Sequence, residues 1–149
     1  MLIDTSGTSE RIQLWRGSAL VLAIALLPCI YLLILERSFF SVDYNYFMRL
    51  LGRLSALFGM SLMSLTFLLN TRLKFIEDLF GGMDKAYKAH HVFGIMSFLS
   101  LLLHPLFLAG TYLSVSVAAA AQFLIPGNIV SIDLGTYGLL TMELFLIFT

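Results

Sequence analysis

The run HHVFGIMSFLSLLLHP at residues 90–105 constrains this chain more than any other stretch. It is apolar, yet it carries one imidazole near its start and another deep inside. If the run is helical, the 14 residues from His90 to His104 turn through about 1400°, about 40° short of four full turns. The two side chains therefore leave the helix on nearly the same face, roughly 21 Å apart along its axis. A bilayer core is about 30 Å thick, so one histidine falls toward each leaflet. His91 competes with His90, but its 13-residue spacing leaves it about 140° out of phase with His104.

A histidine on an apolar face is often a hydrogen-bonded core residue. In a membrane span that explanation is weaker, because ionisable groups in hydrocarbon are costly and usually face a functional interior. Two imidazoles in phase on one span suit two stacked haems, each iron taking one nitrogen. Gly94, Ser97 and Leu101 lie on the same face between them. Gly94 and Ser97 are small enough to leave room for a flat macrocycle, although ordinary helix packing in lipid also selects small residues.

The rest of the chain reads as membrane protein. Hydrophobic residues make up 59% of the 149 and charged residues only 12%, against about 25% charged in a soluble domain. The formal net charge is zero, so nothing points to nucleic-acid binding. Cys29 is the single cysteine, which rules out an intrachain disulfide. There is no zinc pattern and no nucleotide-binding glycine loop, and no residue stands out as catalytic.

Residues 1–15 form a polar tail, and Trp15 with Arg16 marks an interface. Residues 17–35 are uncharged and long enough to span. They are too long for a signal-peptide core and are not followed by a cleavage site. Pro28 should kink this span. Residues 36–48 read as an aromatic connecting loop with Phe39, Phe40, Tyr44, Tyr46 and Phe47. A second span covers about 49–70, with Gly52, Ser55, Ala56, Gly59, Ser61 and Ser64 allowing close helix approach. Residues 71–84 form a charged loop containing the breaker Gly81-Gly82, and Asp84 is placed to cap the next helix. The third span covers about 85–113, with Pro105 expected to bend it. Residues 114–125 look like a helical extension or an interfacial segment, not a full span, broken at Pro126-Gly127-Asn128. From about Ile132 a fourth apolar helix runs to Thr149 and looks cut off there, with Glu143 inside it.

The fold class is thus an all-α membrane protein, a transmembrane helical bundle with four apolar helices. Basic residues set its orientation. Six lie on the tail and the 71–88 region (Arg11, Arg16, Arg72, Lys74, Lys85, Lys88), against three at Arg37, Arg49 and Arg53. The N-terminus is therefore expected in the cytoplasm, with His90 toward the cytoplasmic leaflet. Arg53 and Arg72 either snorkel to headgroups or neutralise haem propionates.

The segment EDLFGGMDKAYKAH at 77–90, continuing through Gly94 to His104-Pro105, resembles the ferric reductase-like transmembrane domain. That superfamily contains bacterial ferric reductases and the NADPH oxidases. The resemblance implies a six-helix bundle in a cell (plasma) membrane, with two b-type haems each held between a histidine of the third helix and one of the fifth. His90 would bind the inner haem and His104 the outer. Electrons would pass from NAD(P)H through FAD, bound by a dehydrogenase domain in cis or in trans, to external ferric iron or oxygen. On this reading residues 16–149 are an incomplete transmembrane domain. It would lack the second haem ligands and the flavin and nicotinamide regions, and would be inactive alone. The alternatives are a non-redox helical membrane protein, such as a structural subunit or transporter fragment, and another dihaem b-type cytochrome subunit.

Overall fold

The computed structural model describes residues 6–36, 43–127 and 130–147. Its elements are helices α1 (Ser6–Leu35), α2 (Tyr44–Leu69), α3 (Lys74–Phe80), α4 (Met83–Gly110), α5 (Val117–Leu124) and α6 (Val130–Ile147), with a 3₁₀ turn at Thr111–Ser114. No strand occurs among the described residues. Three segments are long and apolar enough to cross a membrane: Leu14–Leu35, Tyr44–Leu69 and Met83–Ser114. The shorter α6 is the fourth apolar helix.

Several boundaries differ from the sequence reading. Helix α1 begins at Ser6, so its polar first turns precede the apolar span that starts at Leu14. It continues through Pro28. Tyr44, Tyr46 and Phe47 belong to α2, not to a loop. Phe39 and Phe40 lie outside the described residues, as do Asn128 and Thr149. Asp84 sits inside the first turn of α4 instead of capping it, where its carboxylate still meets the positive end of the helix dipole. Residues 114–125 do not extend α4. They form a separate helix whose N-cap, Ser116, accepts a 3.0 Å hydrogen bond from Ala119 N.

The charged 71–84 loop contains α3, which the sequence reading missed. Seven residues are too few for a clear helical period. The helix stops where it does because Gly81 takes a left-handed conformation, φ 71°, and its N–H returns to Glu77 O. Gly82 follows at φ 134°, and its N–H also reaches Glu77 O at 2.9 Å. Side chains rarely tolerate either conformation, which accounts for the glycine pair.

The chain divides into two compact units. The first comprises residues up to 37 together with 57–100. Its core is built from Val21 and Ala25 of α1, Leu62 and Leu69 of α2, Ile76 and Phe80 of α3, and Ala86, Ala89 and Phe93 of α4. On α1 the buried stripe Gly17, Val21, Ala25 and Cys29 repeats every four residues, while Leu20, Ile24, Leu27, Tyr31 and Ile34 are exposed on the opposite side. That division is the one expected of a helix with protein on one face and lipid on the other. The second unit comprises residues 38–56 and 101–149. In it Gly110 approaches Met48, and the Tyr112 and Phe123 rings stack with centroids 5.0 Å apart.

Gly17 lets α1 close over the buried Phe80 ring. A Cβ at Gly17 would sit 2.8 Å from Phe80 Cδ1 and 2.9 Å from Cε1. Gly17→Ala should therefore destabilise the protein by about 1–3 kcal/mol. Gly138→Ala, where a Cβ meets nothing within 4 Å, should be neutral or stabilising by up to about 1 kcal/mol. Thermal unfolding in detergent measures both, and equal melting points would contradict this packing.

Candidate functional site

Helix α4 carries all three histidines. His90 and His104 are half-buried and His91 is exposed. Each of the two in-phase histidines reaches helix α2 through Nδ1. His90 Nδ1 lies 2.8 Å from Thr66 O, and His104 Nδ1 lies 2.7 Å from Gly52 O. A carbonyl oxygen can only accept, so Nδ1 must carry the proton in both rings. In a neutral imidazole this leaves the Nε2 lone pair as the available donor to a metal. A metal-bound histidine commonly has its other ring nitrogen bonded to a backbone carbonyl in this way. The tautomer is therefore imposed by the fold at both sites.

The acceptors differ in kind. Thr66 lies in the last turn of α2, where four carbonyls have no helical donor. Asn70 N–H bonds Phe67 O instead, and Thr66 O receives His90. Gly52 O lies inside the helix and also accepts the Ser55 hydroxyl at 2.9 Å. Here the lack of a side chain on Gly52 permits the approach. A Cβ would stand 3.0 Å from Leu108 Cδ2 and 3.6 Å from His104 O.

Ser97 lies between the two histidines in angle, about 20° from each. It is buried, 1% exposed, and its hydroxyl donates to Gly59 O at 2.8 Å. Ser97 thus packs against α2 and does not line open space. Gly94, about 40° from His90 on the other side, faces open room: a Cβ there meets nothing within 4 Å. His91 makes no such bond to α2, although its ring stands edge-on to that of His90 with centroids 5.8 Å apart. Its ring meets the Tyr87 ring edge-on at 4.7 Å. Arg53, one residue after Gly52, and Arg72, just past the end of α2 at φ 52°, are both exposed.

In the second unit, His104 lines a cavity of about 390 Å³ with Pro105, Leu108, Phe123, Ile132, Gly135 and Leu139 among its walls. The lining is almost wholly apolar, and the imidazole is its only nitrogen base. Among the described residues no three histidine, cysteine or acidic side chains converge to hold a bare ion. A haem brings four nitrogens of its own and asks only for axial ligands. A lone imidazole of fixed tautomer beside an apolar cavity fits that demand.

The acceptors Thr66 and Gly52 were not singled out from sequence as partners of the histidines, nor Gly59 as the partner of Ser97, because a backbone carbonyl carries no residue-type signal. Their spacing did hold one. Residues 52, 59 and 66 repeat at the same seven-residue interval as 90, 97 and 104, in opposite order.

The family model described as "Ferric reductase like transmembrane component" matches residues 55–149, nearly two thirds of the chain. No curated protein and no solved structure is detectably similar to it.

The close approach at Gly52 is testable. Gly52→Val should cost about 1–3 kcal/mol by driving methyl groups into Leu108, whereas Gly94→Ala should cost little, because the space beside it is open. Equal tolerance of the two substitutions in thermal unfolding would contradict the geometry around His104.

Proposed function

Because the chain belongs to the ferric reductase like transmembrane component family, we propose that it carries electrons across a membrane using two b-type haems, one bound by His90 and one by His104. Family membership by itself carries transmembrane electron transfer and haem binding in general terms. The observation that supports the finer assignment is the pair of Nδ1–H···O=C bonds from α4 to α2. They orient both imidazoles and leave both Nε2 atoms able to ligate.

When bound, the haems supply one-electron chemistry that no side chain here offers. The chain's own part is to place two imidazoles roughly 21 Å apart along one helix, fix their tautomers and surround them with apolar side chains. On this reading electrons enter on the His90 side, from NAD(P)H by way of FAD bound outside these residues, in cis or in trans. They leave on the His104 side to ferric iron or oxygen. The basic-residue bias supports a cytoplasmic N-terminus and His90 end, and the family resemblance supports a plasma membrane.

A second reading has its own support. The same hydrogen bonds could make His90 and His104 structural rivets between helices and nothing more. Replacing histidine with asparagine separates the readings, because the asparagine amide N–H₂ stands near the Nδ1 position while nothing replaces Nε2. In the intact protein in membranes, His90→Asn and His104→Asn should each lose one low-spin haem per polypeptide, and His91→Ala should lose none. Haem content and the reduced α-band measure this. Full haem content in both asparagine variants would leave only the rivet role.

The arginines extend the proposal. Arg53 is assigned to the propionates on the His104 side and Arg72 to those on the His90 side. Arg53→Ala should shift the potential of the His104-side haem more than the other in a spectroelectrochemical titration. Equal or absent shifts would return both guanidiniums to headgroup contacts.

A further inference from the structure

We propose that Ser97 is a positioning residue: its hydroxyl, bonded to Gly59 O, pins the register of α4 on α2 so that His90 and His104 reach their carbonyls together. Three bonds join the two helices at matched intervals: His90 to Thr66 O, Ser97 to Gly59 O and His104 to Gly52 O. Both helices are continuous through these positions, so the bonds recur every two turns on each.

The seven-residue interval explains why a central pin is useful. Two turns of an α-helix hold about 7.2 residues, so side chains seven apart drift by about 20°. Over the interval from His90 to His104 the drift is about 40°. Ser97 halves it, and each histidine then departs from the contact line by an equal and opposite amount. A slip of α4 by one residue would move it about 1.5 Å and turn it about 100°, and both imidazoles would miss their acceptors at once.

Ser97 is also distinguished from its neighbours by where its hydroxyl goes. Ser55, Ser64 and Ser100 each bond a carbonyl of their own helix. Ser97 crosses to α2, and it is more deeply buried than either histidine. Gly59, also buried, carries no side chain to hold the helices apart at the crossing point. Removing the hydroxyl leaves Gly59 O its helical bond, so the variant loses the pin without stranding an acceptor.

The inference deepens the ligand role proposed for His90 and His104 and rests on that role only for its second readout. The first is solid-state NMR of the intact protein in membranes, labelled with ¹⁵N-histidine and kept reduced. In the wild type, His90 and His104 should each show a protonated, hydrogen-bonded Nδ1. Ser97→Ala should shift both Nδ1 signals together, and Ser97→Thr should restore both. Ser97→Cys, similar in size but a weak donor, should shift both by less, which keeps the test open if the alanine variant does not accumulate. Ser100→Ala should change neither. The second readout is the haem α-band, which should broaden in Ser97→Ala. An unchanged pair of Nδ1 signals in Ser97→Ala, or a shift in only one, would overturn the pin. Absence of haem with the joint Nδ1 shift intact would instead remove the ligand role and leave the pin standing.

Discussion

A carbonyl in an α-helix has two lone pairs and uses one of them for its helical hydrogen bond. In water the other is solvated. In hydrocarbon no water is at hand, and a neighbouring helix that brings N–H or O–H groups can use it. Helix α2 offers two such carbonyls at Gly52 and Gly59 and, in its last turn, a third at Thr66 that has no helical donor, and α4 supplies a donor to each. Lipid tails are as apolar as leucine, so burial alone does little to choose how two membrane helices pair. Directional bonds at a fixed interval do choose. The rest of the arrangement follows: small residues where the backbones approach, large aliphatic side chains such as Val92, Ile95, Leu99 and Leu103 exposed on the far side of α4, and imidazoles held in one tautomer.

The same bonds connect structure to chemistry. A membrane protein that binds haem must keep a nitrogen base neutral, aimed and dry. Donation from Nδ1 to a carbonyl aims the base and decides which nitrogen of a neutral ring is free, because the ring cannot rotate without losing the bond. Apolar walls such as those around His104 keep it dry. The two sites are not copies. Thr66 O stands at the negative end of the α2 dipole and Gly52 O stands within the helix, so the two imidazoles meet different fields.

Much of this was legible in the sequence. Helix periodicity alone put His90 and His104 on one face and excluded His91, and the structure keeps that division. The FGG segment was legible as a break, and the left-handed Gly81 shows why. The resemblance carried by residues 77–105 pointed to the family whose model matches residues 55–149. Other features left weaker traces. Helix α3 is too short to show a period. Ser97 read either as room for a macrocycle or as ordinary helix packing, because smallness has two uses in a membrane helix, and its bond to Gly59 O supports the second. The carbonyl acceptors were invisible by residue type, since the groups that hold the histidines belong to the backbone.

The central claim is that both in-phase histidines present Nε2 to iron while Nδ1 is tied to α2. Pulsed electron–nuclear resonance on the oxidised intact protein, with histidine labelled by ¹⁵N at Nε2 only, tests it most directly. The account predicts strong ¹⁵N couplings typical of directly ligated nitrogen at both low-spin centres, with those couplings carried by α4. Weak remote-nitrogen couplings from the labelled position at either centre would show ligation through Nδ1. That result would contradict the arrangement in which α2 holds the ligands.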